Sequence, residues 1–517
     1  MSPAIWKWWP AAATAWRRTR YRAVCCASVR SRARHEASST GAASARWLPP
    51  MRVCSRSVTT PPGGVVPTWD TTRRERFLHT WIRSMSDWLW GWPMLVLFLG
   101  TGVYLIFRLR VVQVRSFLPG LRALTRGNNS EEGEISPFAA LMTAVGGIVG
   151  NGNIAGVATA ITLGGPGALF WMWISGVVGM GTMFAESTLG VRYRRRDSRG
   201  QWVGGPMYYI RDRLGWPRVA AFFAVGLALK TLLATTSVQS SSIASVVSVQ
   251  LGWRPWLVCL ILALVTGVAI LGGVRQIARI SQVLAPLMGL LYLSGAAVAL
   301  VIFRHELPGA ISLVVSHAFS PIAATGGFVG AGVSQAFRFG LARGVYSNEA
   351  GTGSVPIAHA SARTSDPVQQ GNVAMLGVFL DTLVVCSATG LVLVASGVWS
   401  SGEDSAALTA AAFSAGLGPT GGWVVMGASV LFGLSTLISW AFYGEQAAAY
   451  LFGARARAPY RALYCVAIMG GSLATVRTIW AWADLLNGLM AIPNLLAVLF
   501  LAGELARGRG ARSGATS

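Results

Sequence analysis

Long blocks of apolar residues set the strongest constraint on what this sequence can fold into. The segments Trp90–Arg108, Trp256–Gly272 and Gly371–Trp399 each hold about 17–29 residues with few charges. A helix of about 20 apolar residues is long enough to cross the ~30 Å hydrocarbon core of a bilayer. Only 12% of the 517 residues are charged, whereas soluble domains carry about 25%. The sequence therefore predicts an all-α integral membrane protein and excludes a soluble globular domain.

Eleven such segments follow one another, and the charge of their connections predicts an orientation. The connections after the odd-numbered segments are rich in Arg, whereas those after the even-numbered segments are poor in Lys and Arg. Because basic loops stay in the cytoplasm, we expect a multi-pass protein of the cell (inner or plasma) membrane, with its N-terminus outside and its C-terminus cytoplasmic. The predicted spans are approximately 88–108, 138–165, 167–191, 217–250, 254–272, 279–303, 325–360, 371–399, 421–452, 459–479 and 483–506.

The first 84 residues conflict with this orientation because they carry 15 Lys and Arg against 3 Asp and Glu. The positive-inside rule disfavours so basic a segment on the outer side. We expect either a disordered basic extension over residues 1–84 or a translation start at Met85, which removes the conflict. The transmembrane domain then covers residues 85–506, and residues 507–517 form a basic cytoplasmic tail.

Other functional classes lack their sequence signatures. The net charge of +24 is concentrated in the first 84 residues and in short loops, and no motif of a nucleic-acid-binding fold accompanies it. The sequence contains no ring-forming motif of a channel pore and no nucleophile elbow of a hydrolase. None of the six cysteines has metal-ligand spacing. We therefore expect neither an enzyme nor a bound cofactor.

Two of the predicted spans are interrupted by glycine, proline and polar residues. The second span holds five glycines between Gly146 and Gly156, and the seventh mixes such residues over Arg343–Pro356. Backbone groups freed inside a bilayer are costly unless they line a cavity or meet a ligand. An unwound segment offers N–H groups to a carboxylate and C=O groups to a cation. Close helix packing at small residues is the structural alternative, and it explains Gly146 and Gly150 but not Asn151.

The two interrupted spans also suggest an internal repeat. If the first span is set aside, each interrupted span opens a set of five, so that spans 2–6 and 7–11 form an inverted 5+5 repeat. Interrupted segments at matching positions of two halves are the best sequence indication of a transporter site.

Several motifs resemble the alanine or glycine:cation symporter family, which belongs to the group with the LeuT-type fold. The similarity runs from Trp88 to Ala506. It is carried by the motifs Gly152–Ile161, Gly164–Trp173, Gly204–Ile210, Ser347–Ser354, Phe379–Thr382 and Tyr443–Glu445.

This resemblance implies eleven helices, with one extra N-terminal helix before the 5+5 core. It also implies symport of a small neutral amino acid, alanine or glycine, into the cell with Na⁺ by alternating access. A proton-coupled symporter and a non-transporting amino-acid sensor of the same fold are the alternatives.

The resemblance further implies the residues of the site. Backbone N–H groups near Asn151 and Gly152 would hold the substrate carboxylate, and Asn151 stands where family members usually have Thr. The implied substrate contacts are Gly150, Asn151, Gly152, Asn153, Gln239, Asn348, Thr436 and Trp440. The implied sodium ligands are the carbonyls of Gly146 and Val149 and the hydroxyls of Ser435 and Thr436.

Ionisable residues inside spans are functional candidates by default. We expect Glu349, Asp381 and Glu445 to serve structural or gating roles rather than to bind substrate. For Lys230, snorkelling towards the membrane surface is an alternative to a functional role. For Glu186, pairing with Arg192 at the end of its span is the alternative.

Overall fold

The computed structural model describes residues 81–82, 84–125, 132–319, 333–472 and 476–513. The chain separates into two units, Met1–Trp69 and Asp70–Ser517, and every described residue belongs to the second. Of the predicted extension, residues 1–80 and 83 lie outside the described residues. In the predicted tail, helix continues as far as Ser513.

The described residues are mainly α-helical, with one short antiparallel hairpin of β1 (Arg195–Arg196) and β2 (Trp202–Val203). The helices of the first half are α1 (Trp92–Arg108), α2 (Val112–Arg115), α3 (Phe117–Thr125), α4 (Pro137–Ile148), α5 (Val157–Gly164), α6 (Gly167–Arg192), α7 (Pro206–Asp212), α8 (Pro217–Leu229), α9 (Thr236–Leu251), α10 (Pro255–Ile270), α11 (Gly273–Ile302) and α12 (Leu307–Phe319). Those of the second half are α13 (Val333–Asn348), α14 (Pro356–Ala360), α15 (Pro367–Val378), α16 (Ser387–Ala395), α17 (Ser405–Leu417), α18 (Pro419–Phe452), α19 (Arg457–Ile468) and α20 (Val476–Ser513).

Three π-helical segments adjoin α-helices in the described part of the chain. They cover Gly152–Gly156 before α5, Lys230–Thr235 between α8 and α9, and Phe379–Cys386 between α15 and α16. Such segments widen the helix locally and often mark functional sites. Short 3₁₀ turns cover Val398–Ser400, Ala454–Ala456 and Met469–Ser472.

Proline and capping residues set where several helices begin. Proline occupies the first turn of α4, α8, α15 and α18, where its missing N–H costs no helical hydrogen bond. Ser136 Oγ accepts a hydrogen bond from the Ala139 N–H at 3.1 Å, and Asp366 Oδ1 accepts one from the Val368 N–H at 2.9 Å. These caps satisfy amide groups that have no partner inside the helix.

Six continuous helices among the described residues are long and apolar enough to cross a membrane. Two bent pairs raise that number to eight if each pair is counted as one span: α1 with α2–α3, bent by 60°, and α4 with α5, bent by 48°. The chain is therefore a helical protein, and the part that the structure describes holds six to eight apolar spans. The expected eleven spans and the separate N-terminal helix stay predictions.

Among the described residues, five helices lie in segments that we expected to be loops, namely α2, α3, α7, α12 and α17. The helices α12 and α17 have 13 residues each, which is too short for the ~20 residues that cross a bilayer. A search for long apolar blocks passes over helices of this length.

The interior is centred on α4, α6 and α18. The helix α6 packs against α13 and α15, and α18 packs against α4, α8, α9 and α11. The aromatic side chains of Trp440, Tyr443 and Phe432 on α18 are buried in this interior. Large apolar side chains on α10 and α11, such as Leu264 and Leu290, are exposed instead. An apolar outer surface is what a lipid-facing helix requires.

Candidate functional site

The first predicted interruption is present. The helix α4 ends at Ile148, and Val149 leaves the helical conformation with ψ 95°. The Gly150 N–H donates a hydrogen bond to Asn153 Oδ1 at 2.9 Å, which caps the broken end from within the break. The chain then passes through the π-helical segment Gly152–Gly156 into α5.

The second predicted interruption is also present. The helix α13 ends at Asn348, and regular helix resumes at Pro356. Within the break, Glu349, Gly351 and Gly353 adopt positive φ values of 55°, 82° and 80°. Glycine takes this conformation freely, whereas Glu349 does so at a steric cost. The backbone strain of this break therefore falls on Glu349, a residue with a buried carboxylate.

One carboxylate joins the two breaks. Asp381, in the π-helical segment Phe379–Cys386, accepts a hydrogen bond from Asn153 Nδ2 at 2.6 Å and from Ser347 Oγ at 2.9 Å. Thr382 Oγ1 donates to the same carboxylate at 2.8 Å. Because Asn153 lies in the first break and Ser347 borders the second, Asp381 holds the two breaks in fixed relation. This agrees with the expected structural role of Asp381.

A narrow cavity of about 10 Å³ lies between the breaks. This volume has room for about one water molecule, so a larger guest requires the surrounding helices to separate. The cavity is lined by Gly147, Ile148, Gly152, Thr235, Gln239, Tyr346, Glu349, Thr436 and Trp440.

The backbone N–H of Asn151, which we expected to hold the substrate carboxylate, is bonded to Gln239 in this structure. Gln239 Oε1 accepts hydrogen bonds from the backbone N–H and from the side-chain Nδ2 of Asn151, both at 3.0 Å. The side chain of Asn151 also accepts from Ser429 Oγ at 2.5 Å. The side-chain amide of Asn151 therefore positions Gln239 and α18, and it does not line the cavity.

The predicted sodium ligands lie near one another, where α18 packs against α4 and its break. Thr436 Oγ1 donates to the carbonyl oxygens of Gly146 at 3.2 Å and Val149 at 3.5 Å. A Cβ placed on Gly146 would lie 2.5 Å from Ser435 Oγ. Ser435 Oγ is buried and has no hydrogen-bond partner among the described residues. Carbonyl and hydroxyl oxygens are the donors that a hard cation prefers, so these residues fit a sodium ion.

The other predicted contacts separate into two groups. Trp440 lines the cavity, and its Nε1 donates to the carbonyl oxygen of Gly147 at 2.9 Å. Asn348 does not line it, because its Nδ2 donates to Thr382 Oγ1 at 3.1 Å and its Oδ1 accepts from the Ala350 N–H. Asn348 therefore caps its own break in this structure.

Sequence reasoning missed the ion pair beside the cavity. Lys230 Nζ lies 2.7 Å from Glu349 Oε2 and 2.6 Å from Asn487 Oδ1, and 4.3 Å from the centre of the Trp440 ring. The interpretation of Lys230 as snorkelling is wrong, because its side chain is buried and paired inside the protein. Matching the buried charges of the fourth and seventh spans could have suggested this pair.

Two further acidic groups have clear partners. Glu186 accepts hydrogen bonds from Asn494 Nδ2 at 2.6 Å and from the Gly351 N–H at 3.3 Å, so it supports the second break. Its expected alternative partner, Arg192, instead donates to the carbonyl oxygen of Glu504. Glu445 pairs with Arg461 at 2.7 Å and lies 3.5 Å from Arg457.

Residues 75–508 match the model of the sodium:alanine symporter family. The chain belongs to this family. It is 39% identical over 432 residues to the sodium/alanine symporter AgcS of Methanococcus maripaludis, covering 82% of this chain and 94% of that protein. It is 38% identical over 430 residues to the probable sodium/glutamine symporter GlnT of Bacillus subtilis, covering 83% of this chain and 89% of that protein.

The fold is similar to that of solved transporters with the LeuT-type fold. A Na⁺-coupled sialic acid symporter in its substrate-bound outward-open state gives a TM-score of 0.50 at 12% identity, covering 79% of this chain and 87% of that chain. At this identity the similarity concerns the fold alone. As a member of the sodium:alanine symporter family, this chain is a multi-pass membrane transporter and not an enzyme.

Proposed function

We propose that this member of the sodium:alanine symporter family carries a small neutral amino acid, alanine or glycine, into the cell together with Na⁺. The observation that carries this proposal is the convergence of the two breaks on one cavity. Thr436 links the two expected sites, because its hydroxyl bonds the Gly146 and Val149 carbonyls and it also lines the cavity.

In the proposed binding step, the substrate carboxylate accepts hydrogen bonds from the N–H groups of Asn151 and Gly152. Gln239 Oε1 already accepts a hydrogen bond from the Asn151 N–H at 3.0 Å. The Gln239 amide therefore turns aside when substrate binds, and its Nε2 is then free to donate to the same carboxylate.

Electrostatics favour a zwitterion with a neutral side chain. The Glu349 carboxylate beside the cavity is balanced by Lys230 at 2.7 Å. A zwitterion adds no net charge to this balanced site, whereas an extra carboxylate or ammonium would add an unpaired buried charge. The indole of Trp440 also limits the cavity, which favours alanine and glycine over larger amino acids.

In the proposed coupling step, Na⁺ takes oxygen ligands from Gly146, Val149, Ser435 and Thr436. These residues lie on α4 and its break and on α18, so the bound ion ties the first break to α18. Substrate bound to the same break stabilises the same arrangement. Binding of either ligand therefore raises the affinity for the other, and this mutual effect is the coupling free energy. Alternating access follows when the elements around the breaks separate on one side and close on the other.

The proposed topology completes this account. It comprises eleven spans across the cell membrane, with an extra N-terminal helix before a 5+5 repeat, an outer N-terminus and a cytoplasmic C-terminus. Residues 85–506 form the transport domain, residues 1–84 precede it as a basic extension or lie upstream of the true start, and residues 507–517 form the tail.

Uptake into proteoliposomes carrying the full chain tests the proposed function. Labelled alanine, glycine and glutamine are compared under an inward Na⁺ gradient, an inward H⁺ gradient and a choline control. We expect Na⁺-driven accumulation of alanine or glycine that choline abolishes. Accumulation under the H⁺ gradient alone would replace Na⁺ by H⁺ as the coupling ion. Saturable binding without accumulation would support the amino-acid sensor instead.

A further inference from the structure

A file of polar atoms without partners follows one face of α18. It consists of Ser435, Ser439, Tyr443 and Gln446, which are three or four residues apart and therefore share a helix face. We call these four residues the α18 file. Their side-chain atoms Ser435 Oγ, Ser439 Oγ, Tyr443 Oη and Gln446 Oε1 are buried and have no hydrogen-bond partner within the described part of the chain.

Glycines of α4 face the first three members of the α18 file. A Cβ placed on Gly146 would lie 2.5 Å from Ser435 Oγ and 3.2 Å from Ser439 Oγ. A Cβ placed on Gly147 would lie 3.1 Å from Tyr443 Oη. Because α4 presents no side chain here, its backbone comes close to the hydroxyl groups and leaves them unbonded. The file therefore begins at Ser435, a proposed sodium ligand, and its first three members lie against α4.

Packing alone does not explain why the four buried side-chain oxygens of the α18 file, which lack a partner among the described residues, follow one another along one helix face. Buried polar groups in folded proteins nearly always find a partner, and those that lack a protein partner are usually satisfied by water or a ligand. Elsewhere around the site, Ser429 Oγ is paired, since it donates to Asn151 Oδ1 at 2.5 Å, whereas Thr235 Oγ1 at the cavity also lacks a partner among the described residues. What distinguishes the oxygens of the α18 file is that they follow one another along a single helix face that begins at a proposed sodium ligand.

The α18 file ends at a cleft. Gln446 lines a cavity of about 50 Å³ together with Glu134, Glu445, Arg457 and other residues. Gln446 lies eleven residues after Ser435, which corresponds to about 16 Å along the helix axis. This end of α18 precedes Arg455, Arg457 and Arg461 in the chain, and the positive-inside rule assigns it to the cytoplasmic side.

We propose that the α18 file is the route by which the coupling Na⁺ leaves its site for the cytoplasm. The hydroxyl oxygens of Ser439 and Tyr443 act as successive ligands, and Gln446 Oε1 is the last before the cleft. Each of these oxygens can bind a partly hydrated cation without first losing a hydrogen bond to any described residue. The inference rests on the proposed function and adds the exit path of the ion.

Cysteine labelling tests the route without depending on transport. In the full chain with its six cysteines replaced by serine, Ser439→Cys is compared with Thr266→Cys. Thr266 on α10 is the matched control, since its hydroxyl is also buried and lacks a partner among the described residues but lies outside the file. A cationic thiol reagent applied from the cytoplasmic side should modify Ser439→Cys about tenfold faster or more, because water reaches the file. Equal modification rates would overturn the proposal.

Transport kinetics provide the second test. The double variant Ser439→Ala/Tyr443→Phe should reduce the maximal rate of Na⁺-driven alanine uptake by about tenfold, because an apolar file no longer ligates the departing ion. The Na⁺ concentration for half-maximal equilibrium binding of alanine should stay within about twofold of wild type, since the site ligands are intact. Thr266→Val should transport at the wild-type rate.

The two kinds of failure are distinguishable. Lack of alanine accumulation by the wild-type protein would contradict the proposed function. Wild-type accumulation together with an unimpaired double variant would contradict only the exit route. The melting temperature of the double variant confirms that it is folded, and it should match that of the wild type because the removed hydroxyls have no partner among the described residues to lose.

Discussion

At the scale of single residues, Asn151 affects the cavity through a neighbour. Its amide nitrogen holds Gln239 Oε1 at 3.0 Å and also donates to the Ser429 carbonyl oxygen at 3.2 Å. Gln239, rather than the side chain of Asn151, faces the cavity. In the proposed mechanism, Asn151 is therefore a positioning residue for the group that meets the substrate.

Replacement of Asn151 by Thr tests this role. In the proposed binding step Gln239 releases the Asn151 N–H but stays bonded to Asn151 Nδ2. The variant loses this Nδ2, so Gln239 Nε2 is no longer directed at the substrate carboxylate, and the loss of one or two buried hydrogen bonds should raise the KM for alanine by roughly 5–30-fold. The order of preference among alanine, glycine and serine should change, while the half-saturating Na⁺ concentration should not. Radiolabelled uptake measures both quantities. If every small amino acid were taken up as by wild type, the Asn151 side chain would have no part in the site.

Ser435 tests the proposed sodium site. Its hydroxyl is buried beside Gly146 without a partner among the described residues, so Ser435→Ala removes an ion ligand and breaks no hydrogen bond within them. We expect the half-saturating Na⁺ concentration for uptake to rise about tenfold. The thermal stability should be preserved. An unchanged sodium dependence would exclude Ser435 from the ligand set, and Thr266→Val serves as the control for loss of a buried hydroxyl.

At the scale of elements, the buried ion pair connects two irregular segments. Lys230 begins the π-helical segment between α8 and α9, and Glu349 begins the break after α13. Thr352 and Ser354 of the same break donate to the Glu349 carboxylate at 2.8 Å and 3.3 Å. The pair and these hydrogen bonds hold the second break in its strained conformation.

Removal of Lys230 should therefore destabilise the fold. Lys230→Met leaves Glu349 buried without its cation, at a cost of about 3–5 kcal/mol. The double variant Lys230→Met/Glu349→Gln should recover more than half of that loss, because no unpaired charge remains. Thermal unfolding in detergent measures both variants.

Arg338→Met is the matched control for this prediction. Its ion pair with Asp87 is partly exposed, with side-chain exposures of 29% and 47%, so its loss should cost only about 0–1 kcal/mol. A melting temperature of Lys230→Met equal to that of Arg338→Met would contradict the structural role of the buried pair.

The two breaks could be predicted because their cause is local. Glycine, proline and polar residues inside an apolar block destabilise the helix wherever the chain folds. The ion pair between Lys230 and Glu349 could not be predicted in this way. It depends on how the π-helical segment after α8 packs against the second break, and the two residues are 119 positions apart in the chain. The position of Asn348 was missed for a similar reason, since the competing partner Thr382 comes from another span.

At the scale of the whole molecule, composition and charge distribution predicted a helical membrane protein, and the family and the structure confirm it. The number of spans is harder to predict. Bent pairs such as α4 with α5 and short helices such as α12 and α17 do not match a template of straight helices of ~20 residues. Within the described residues, length and apolarity alone therefore give six to eight spans, whereas we predict eleven.

Reciprocal coupling is the central claim about the whole molecule, because a symporter must move each solute with the gradient of the other. The most direct measurement is the uptake of ²²Na⁺ into proteoliposomes of the full chain, driven by an inward gradient of unlabelled alanine with equal Na⁺ on both sides. We predict transient accumulation of ²²Na⁺ above equilibrium in the wild type and strong reduction in Ser435→Ala. Equilibration of ²²Na⁺ without such an overshoot, in liposomes that do take up alanine, would contradict sodium-coupled symport.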